Sequence, residues 1–446
     1  MRFVVIGGDA AGMSAGSKVK RNDPSIETTV LEASTDVSYS ACGMPYNVAD
    51  AGREMDDLVV RKAEVFRAKQ GIDLRVDHTA TAIDRVGKRV LGRTSAGEDF
   101  EVSYDKLLIA TGARARKLDV PGADLPGVMS LKSLQDGRDI KAWLASGNVK
   151  RALIVGMGYI GLEMADALHE RGIKVDMIKP SPRLLPYMPE EMADVVLNEL
   201  TGKGVNVRLG VAIKAIERTP SGLRAILDNG ELDTDMVLTG LGVVPNSEPA
   251  AAAGLELGPH KAIAVDKSLR TSDPDIYAAG DCADAYHVVT GQRVWVPLAL
   301  RANRAGWAAA DNVTGGAVEL PGIVGTAVFK VLDLEVARTG LSIDEAKRAG
   351  FHPVESMIKS RSRAHAHPGN QTIYVNLTAD AKTGKLLGGS MVGKEGVAHR
   401  INAVAVALHA GLTVAEFFQC DMAYAPPFSP VWDPLLTAAN QLLKKL

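Results

Sequence analysis

The sequence predicts an α/β chain with two doubly wound parallel-sheet units, followed by a smaller α+β unit. Three observations predict it. A short apolar strand runs into a glycine-rich loop and then a helix at the N-terminus, and the same succession recurs from Ala152. From about Val324 the texture changes to alternating runs of β type. The chain has 446 residues, more than one hydrophobic core usually supports, so two or three domains are expected.

Bulk properties exclude several classes. A net charge of −2 with both signs interspersed gives no electrostatic footprint for nucleic acid, and no Lys/Arg block suggests a membrane surface. Met1-Arg2-Phe3-Val4-Val5-Ile6 reads directly into a strand, without the charged, apolar and small-residue succession of a leader. No apolar run approaches ~18 residues, so no transmembrane helix is expected. Cys42, Cys282 and Cys420 form no C-x-x-C pair, which argues against a disulfide framework or a zinc site and suits a reducing cytoplasm.

In chain order, the strand Phe3–Ile6 meets Gly7-Gly8-Asp9-Ala10-Ala11-Gly12. Glycines hold the first and last places of G-x-G-x-x-G, and Asp9 holds the middle one. The small Ala10 and Ala11 permit a pyrophosphate to approach the backbone, with Met13 to Val19 continuing as the helix whose N-terminus faces it. The strand Thr28–Leu31 ends at Glu32, about 20 residues past Gly12, the offset of the acid that binds a ribose hydroxyl; otherwise Glu32 is a solvated strand end. Next comes Tyr39-Ser40-Ala41-Cys42-Gly43-Met44-Pro45-Tyr46. A cysteine opening a helix beside backbone N–H groups is expected to have a lowered pKa, and Gly43 and Pro45 fit a turn into a helix. A lone cysteine without that context reads as a buried structural residue.

Between Asp50 and Gly71, charged and apolar residues mix at helical spacing, as a solvated face or a phosphate-binding patch. Leu107–Ala110 is an apolar strand closing in Thr111-Gly112. The second unit is a complete fingerprint, Gly156-Met157-Gly158-Tyr159-Ile160-Gly161, between the strand Ala152–Val155 and a helix over 162–171. Two such units can hold FAD and a nicotinamide nucleotide, the pairing that passes a hydride through a flavin. The strand Lys174–Ile178 ends at Lys179, where an NAD-specific fold usually carries an acid. With Arg183, Lys179 can pair a 2′-phosphate, which favours NADPH over NADH; otherwise it points into solvent. An apolar strand from Met236 closes around Gly240 to Pro245. Gly280-Asp281 ends a strand that can bring a carboxylate to the ribityl hydroxyls, and Cys282 reads as packing. The small-residue helix Arg301–Gly306 is expected to pack closely on the cofactor. The third domain carries strands over 372–377 and 386–393, a helix from Val397 to His409, and an aromatic, proline-rich end, Tyr424 to Pro434.

The order of these motifs, with a single Cys in S-x-C-G-x-P-Y, Ala-Thr-Gly, G-x-G-Y-I-G-L-E, Ala-Gly-Asp-Cys and a C-terminal Tyr-x-Pro-Pro, resembles the single-cysteine branch of the FAD-dependent pyridine nucleotide-disulfide oxidoreductases. Within it the chain is most similar to coenzyme A disulfide reductase and the NAD(P)H persulfide or polysulfide reductases. The resemblance implies two Rossmann-like domains, for FAD (1–115 and 247–322) and NAD(P) (116–246), and an α+β interface domain (323–446) that forms a homodimer. It implies FAD contacts at Gly7, Gly8, Ala11, Gly12, Glu32, Thr111, Gly112, Gly280, Asp281 and Ala299. Nicotinamide-nucleotide contacts fall on Gly156, Gly158, Tyr159, Ile160, Gly161, Glu163, Lys179 and Gly242. Cys42 is the redox residue, and Tyr424 an acid acting across the interface.

Three departures from the family pattern stand out. Ala10 replaces the histidine that the oxidase and peroxidase sisters carry in the first loop, Asp9 puts a carboxylate near an anionic pyrophosphate, and His367-Pro368-Gly369 stands where the reductases carry a second tyrosine. His367 is either a proton donor or part of a surface loop. No cysteine lies four or five residues from Cys42, so an internal dithiol cycle is excluded and the exchange partner is an external thiol; the resemblance implies coenzyme A, as its disulfide or persulfide, or a related low-molecular-weight disulfide or polysulfide. Ser14, Lys18, Arg61 and Lys62 are candidate contacts to coenzyme A phosphates, with Ser40 and Asn303 also on the substrate side. An oxidase or peroxidase working through a Cys42 sulfenic acid and a non-turnover flavin redox sensor are the competing readings.

Overall fold

The computed structural model describes residues 1–446, and two five-stranded parallel sheets organise its first three quarters. In the first, the strands run in the order Ile276–Ala278, Lys106–Ile109, Arg2–Ile6, Glu27–Leu31, Asp73–Arg75. In the second the order is Val128–Ser130, Met236–Thr239, Arg151–Val155, Lys174–Lys179, Asn206–Leu209. The two sheets are the same arrangement used twice. Each is entirely parallel and its central strand is an unbroken apolar run, as burial on both faces requires. Each also carries an antiparallel three-stranded excursion, over residues 78–103 and 213–234.

The central strand of each sheet delivers the chain into a fingerprint loop and a helix, Ala10–Asn22 in the first unit and Tyr159–Glu170 in the second. Gly7 adopts φ +109, a conformation only glycine takes freely. A methyl group on Gly12 would overlap the carbonyl oxygen of Gly7, and Gly161 stands in the same relation to Gly156. These contacts draw each helix N-terminus onto the carboxyl end of the sheet. The helix Ala299–Val313 lies against Ala10–Asn22, with the Gly306 backbone against that of Ala11.

The third domain is a five-stranded antiparallel sheet in the order Ala327–Val331, Leu334–Gly340, Leu386–Gly393, Thr372–Asp380, Pro353–Arg361. The helices Val397–Ala410 and Pro434–Leu443 cover it. Its first two strands also pack into the core of the second unit, through Phe329, Val331, Leu334 and Val336.

One local expectation differs from what is observed. The stretch from Asp50 to Gly71 is helical only over Ala63–Gln70, preceded by a single 3-10 turn at Met55–Leu58. Before Ala63 the exposed charges are not balanced by an apolar stripe, so nothing pays for continuing the helix. The segment around Cys42 buries Met44, Val48 and Met55 in the core of the second unit rather than the first. No helix is long and apolar enough to cross a membrane.

Gly12→Ala is expected to push the first helix off its loop, costing about 1–3 kcal/mol in stability and releasing flavin. Thermal unfolding and the flavin absorbance retained through gel filtration measure both.

Candidate active site

The first fingerprint loop is pre-arranged for a dinucleotide. The Gly8 N–H donates to Glu32 Oε2 (2.7 Å), and Ser34 donates to Glu32 Oε1 from its N–H (2.8 Å) and hydroxyl (2.7 Å). Glu32 is therefore oriented at the strand end. Asp9 occupies the N-cap of the first helix, yet its side chain makes no bond to the helix; its Oδ1 accepts from the Tyr39 N–H at 3.2 Å. The carboxylate thus leans toward the cysteine segment, and the helix N–H groups stay free for a pyrophosphate. Burial raises the Asp9 pKa to about 6, against the hydrogen bond from Tyr39 and the nearby Lys132, with Glu32 and Asp281 adding to the rise.

Across the cleft, Gly280 (φ +83) faces Ala11, and Asp281 pairs with Lys132 at 3.5 Å. The Asp281 carbonyl accepts from Trp295 Nε1 (2.8 Å). Arg301 is buried beneath this loop and donates to the carbonyls of Gly280 (2.9 Å), Ala283 (3.0 Å) and Asp284. Ala299 opens the helix two residues earlier and is exposed. Thr111 lies where the chain crosses between the two units. Its hydroxyl donates to the Asn246 carbonyl (2.5 Å), Asn246 Nδ2 donates back (2.9 Å), and the Asn246 N–H reaches Gly112 (3.0 Å). These bonds tie the crossing between the two units together.

Cys42 is free and reaches solvent. It sits in the 3-10 turn Ala41–Gly43, just ahead of the helix Met44–Ala49 with its early Pro45. The Ser40 N–H donates to Leu58 (2.8 Å) and the Gly43 N–H to Ser40 (2.9 Å), which fixes the turn. The expected depression of the thiol pKa is not what the protein alone produces: partial burial pushes it up, the Glu163 carboxylate pushes it further, and Lys132 opposes both. Glu163 comes from the second fingerprint helix, and the Tyr46 hydroxyl donates to its Oε1 at 3.0 Å. Burial raises the Glu163 pKa, with Tyr46 opposing. The Tyr46–Glu163 bond joins the cysteine peptide to the second unit.

At the second fingerprint, Gly158 caps the helix without a side chain and has open space around it, as close approach by a pyrophosphate requires. The Tyr159 ring lies 4.8 Å from that of Phe329 in the third domain, and Ile160 is half-buried beside it. Gly242 (φ +84) accepts from the Arg116 N–H (2.9 Å) at the exit from the unit. Lys179 donates to the Arg183 carbonyl (3.1 Å) and the Arg183 guanidinium to the Met188 carbonyl (3.0 Å). Burial lowers the Lys179 pKa. Both side chains therefore close their own loop in this conformation.

The candidate substrate contacts separate into two places. The Ser14 hydroxyl donates to Asn303 Oδ1 (2.8 Å) and Lys18 pairs with Asp311 (3.4 Å), along the seam of two packed helices. Arg61 lies over the Phe66 ring (5.3 Å) and Lys62 begins the helix Ala63–Gln70; both are exposed, as is Ser40. Tyr424 and His367 lie on the third domain. There the Ala364 N–H bonds Pro426 (3.0 Å), and Arg400 bonds both Ser362 (3.2 Å) and Phe428 (2.7 Å), bringing the two segments to one edge. His367 Nδ1 lies 3.0 Å from the carbonyl of Pro368. Tyr46, Lys132 and Arg301 were not singled out from sequence. Tyr46 lies inside the cysteine motif, and Arg301 is the one bulky cation buried in a small-residue helix; Lys132 carries no local signal.

Two dinucleotide-binding folds opening toward one free cysteine define a two-nucleotide redox enzyme with a sulfur at its exit. The comparisons agree. The chain belongs to the pyridine nucleotide-disulphide oxidoreductase family, whose model matches residues 1–306, while the family's dimerisation domain matches residues 326–435. It is 38% identical over 442 residues to the "NAD(P)H sulfur oxidoreductase (CoA-dependent)" of Pyrococcus furiosus, spanning 99% of each chain. It is 33% identical over 448 residues to a Methanocaldococcus jannaschii "NADH oxidase", spanning 100% of this chain and 99% of that one. Among solved structures, a "NAD-Dependent Persulfide Reductase from A. fulgidus" matches with a TM-score of 0.96 at 38% identity, covering 100% of this chain and 83% of that one. The family uses FAD and NAD(P)H, and the two glycine cradles, the uncapped helix starts and the oriented Glu32 fit them.

Asp9 yields a pH prediction. Below about pH 4 the carboxyl is neutral folded and unfolded. Above its folded value near 6 it is charged in both states, and the folded state carries the cost of burying that charge. Stability is thus lost as pH rises from about 4 to about 6 and is not regained above. Asp9→Asn, which keeps an acceptor for the Tyr39 N–H, is expected to raise stability by up to about 3 kcal/mol at pH 8 and by little at pH 4. Denaturant melts of the apoprotein at the two pH values measure the difference.

Proposed function

We propose that the chain reduces small sulfur acceptors, coenzyme A disulfide or a related low-molecular-weight disulfide, persulfide or polysulfide, at the expense of NAD(P)H, with Cys42 as the residue that meets them. The observation that carries this reading is the placement of Cys42 in a fixed turn at the junction of both nucleotide units without a resolving cysteine. Cys282 is fully buried against the carbonyls of Ile109 and Ala279, and Cys420 lies on the third domain. FAD held by the first unit supplies the two-electron relay between nicotinamide hydride and sulfur.

The residues of the chain do the rest. Gly7, Gly8, Ala11, Gly12, Gly280 and Asp281 line the cradle of the first unit, and Glu32 takes the ribose diol. Gly156, Gly158 and Gly161 admit the nicotinamide nucleotide. Lys179 and Arg183 favour NADPH once they swing from their loop carbonyls to a 2′-phosphate. The Cys42 thiolate attacks an external disulfide, forming a mixed disulfide and expelling one thiolate, which takes a proton. Delivery of an electron pair to that mixed disulfide then releases the second thiol and restores the Cys42 thiolate. Lys132 is the cation that stabilises the thiolate, and Glu163 opposes it. A homodimer that brings Tyr424 of the partner subunit to this sulfur supplies the proton. Exposed Phe428 (76%) and Trp432 (60%) beside Tyr424 support such an interface. His367 lies on the same edge as a second candidate donor. The divisions 1–115 with 247–322, 116–246 and 323–446 are the corresponding domains, and a reducing cytoplasm suits three unpaired thiols.

The oxidase reading draws support from the relative of that name in Methanocaldococcus jannaschii. Ala10, in place of a proton-handling histidine, supports the reductase instead.

Cys42→Ser is expected to keep flavin reduction by NADPH near the wild-type rate and to lose at least about 10³-fold in turnover with coenzyme A disulfide and polysulfide. Retained turnover of every sulfur acceptor would exclude the proposal. NADPH consumption with dioxygen alone at the disulfide rate would favour the oxidase. Tyr424→Phe is expected to lower sulfur turnover about 10²-fold and to leave flavin reduction unchanged; stopped-flow traces of the two half-reactions separate these effects.

A further inference from the structure

The helix Leu134–Ala145 belongs to the core of the second nucleotide unit, through Leu134, Ile140 and Leu144. Its outer face grips the segment that carries Cys42. Arg138 donates from Nη1 and Nη2 to the two oxygens of Asp36 (2.7 and 2.8 Å), and from Nε and Nη2 to Asp56 Oδ1 (2.8 and 2.7 Å). A further bond from Nη1 to Gln135 (3.3 Å) occupies the last of the five guanidinium donors. Asp36 precedes Cys42 and Asp56 follows it, so one arginine ties both shoulders of the segment. One helical turn on, the Lys141 ammonium donates to the carbonyls of Asn47 (3.0 Å), Asp50 (2.9 Å) and Arg53, again using its full donor set. Gly137, next to Arg138 on the same helix, lets the segment come close: a side chain there would meet Met55 Sδ at 2.7 Å.

We propose that Arg138 and Lys141 are positioning residues for the redox sulfur, fastening the Cys42 segment to the second nucleotide unit so that the sulfur moves with that unit although it follows the first in sequence. The inference rests on the reading of Cys42 as the reacting residue. It assigns a specificity that a simple structural salt bridge lacks. The bidentate Asp36 contact needs the planar fork of arginine, which a lysine cannot reproduce, and the apolar contacts ahead of Met44 are divided, Val37 in the core of the first unit and Tyr39 and Ala41 only partly buried against that of the second. Loosening the clamp should therefore free the turn around Cys42 while the buried Met44, Val48 and Met55 keep the segment folded.

The test compares FAD-loaded Arg138→Ala, Arg138→Lys and Asp56→Asn with wild type and Cys42→Ser. Asp56 is 70% exposed on its side chain, so Asp56→Asn cuts half the clamp with little risk to folding. Alkylation of Cys42 by iodoacetamide, followed by intact mass, is expected to quicken about 10-fold in Arg138→Ala and about 3-fold in Asp56→Asn, with Arg138→Lys between them. Turnover of coenzyme A disulfide is expected to fall about 10- to 100-fold in kcat for Arg138→Ala, with flavin reduction by NADPH and its KM within about 2-fold of wild type. Alkylation and kcat within 2-fold of wild type in all three variants would overturn the proposal. So would an equal fall in flavin reduction, which marks a general structural defect. If Cys42→Ser itself turns over normally, the reading of Cys42 as reacting residue fails, and the alkylation rates still decide whether the clamp holds the segment.

Discussion

Where Gly12 passes the carbonyl of Gly7 there is no room for a methyl group, and the rest of the architecture depends on that close approach. It sets the first helix against the end of the central strand, leaving the helix N–H groups directed at a site rather than at a cap. The helix from Ala299 packs on the same surface and brings Arg301 beneath the Gly280-Asp281 loop. The same contact between Gly161 and Gly156 in the second unit places Glu163 where Tyr46 meets it. One steric rule, applied twice, thus fixes two nucleotide sites and the sulfur between them.

The electrostatics of the sulfur are a balance of opposed terms. Burial and Glu163 hold the thiol up, and Lys132 pulls it down. A thiol held above its ordinary pKa is less ionised near neutral pH, while the thiolate that does form is the more nucleophilic. The balance also explains why Tyr46 matters. By donating to Glu163 it disperses part of the charge that faces the cysteine.

Much of this was legible in the sequence, and the reasons are local. The strands Phe3–Ile6 and Ala152–Val155, their glycine loops and Glu32 are short-range patterns set by backbone sterics and spacing, and the fold class followed from them. The bond from the Thr111 hydroxyl to Asn246, 135 residues away, is a pairing no local pattern encodes. The lowered thiol pKa expected from the local motif is opposed by burial and by Glu163, which reaches the cysteine from the second unit. Lys132, Arg138 and Lys141 went unnoticed for a similar reason. Each is an ordinary charged residue near or within an ordinary helix until the Cys42 segment folds onto it.

The exchange at Asn246 has a wider meaning. Ala113–Ala115 leaves the first unit and Val243–Pro245 returns to it as adjacent antiparallel strands, so everything between them enters and exits through one narrow doorway. A folding unit whose ends meet can be spliced into another without breaking the host sheet. The guest repeats four of its host's strands in the same spatial and chain order, while the fifth, at the edge, comes after the insertion in the host and ahead of the central strand in the guest, so the doorway is the single seam at which one sheet is set into the other.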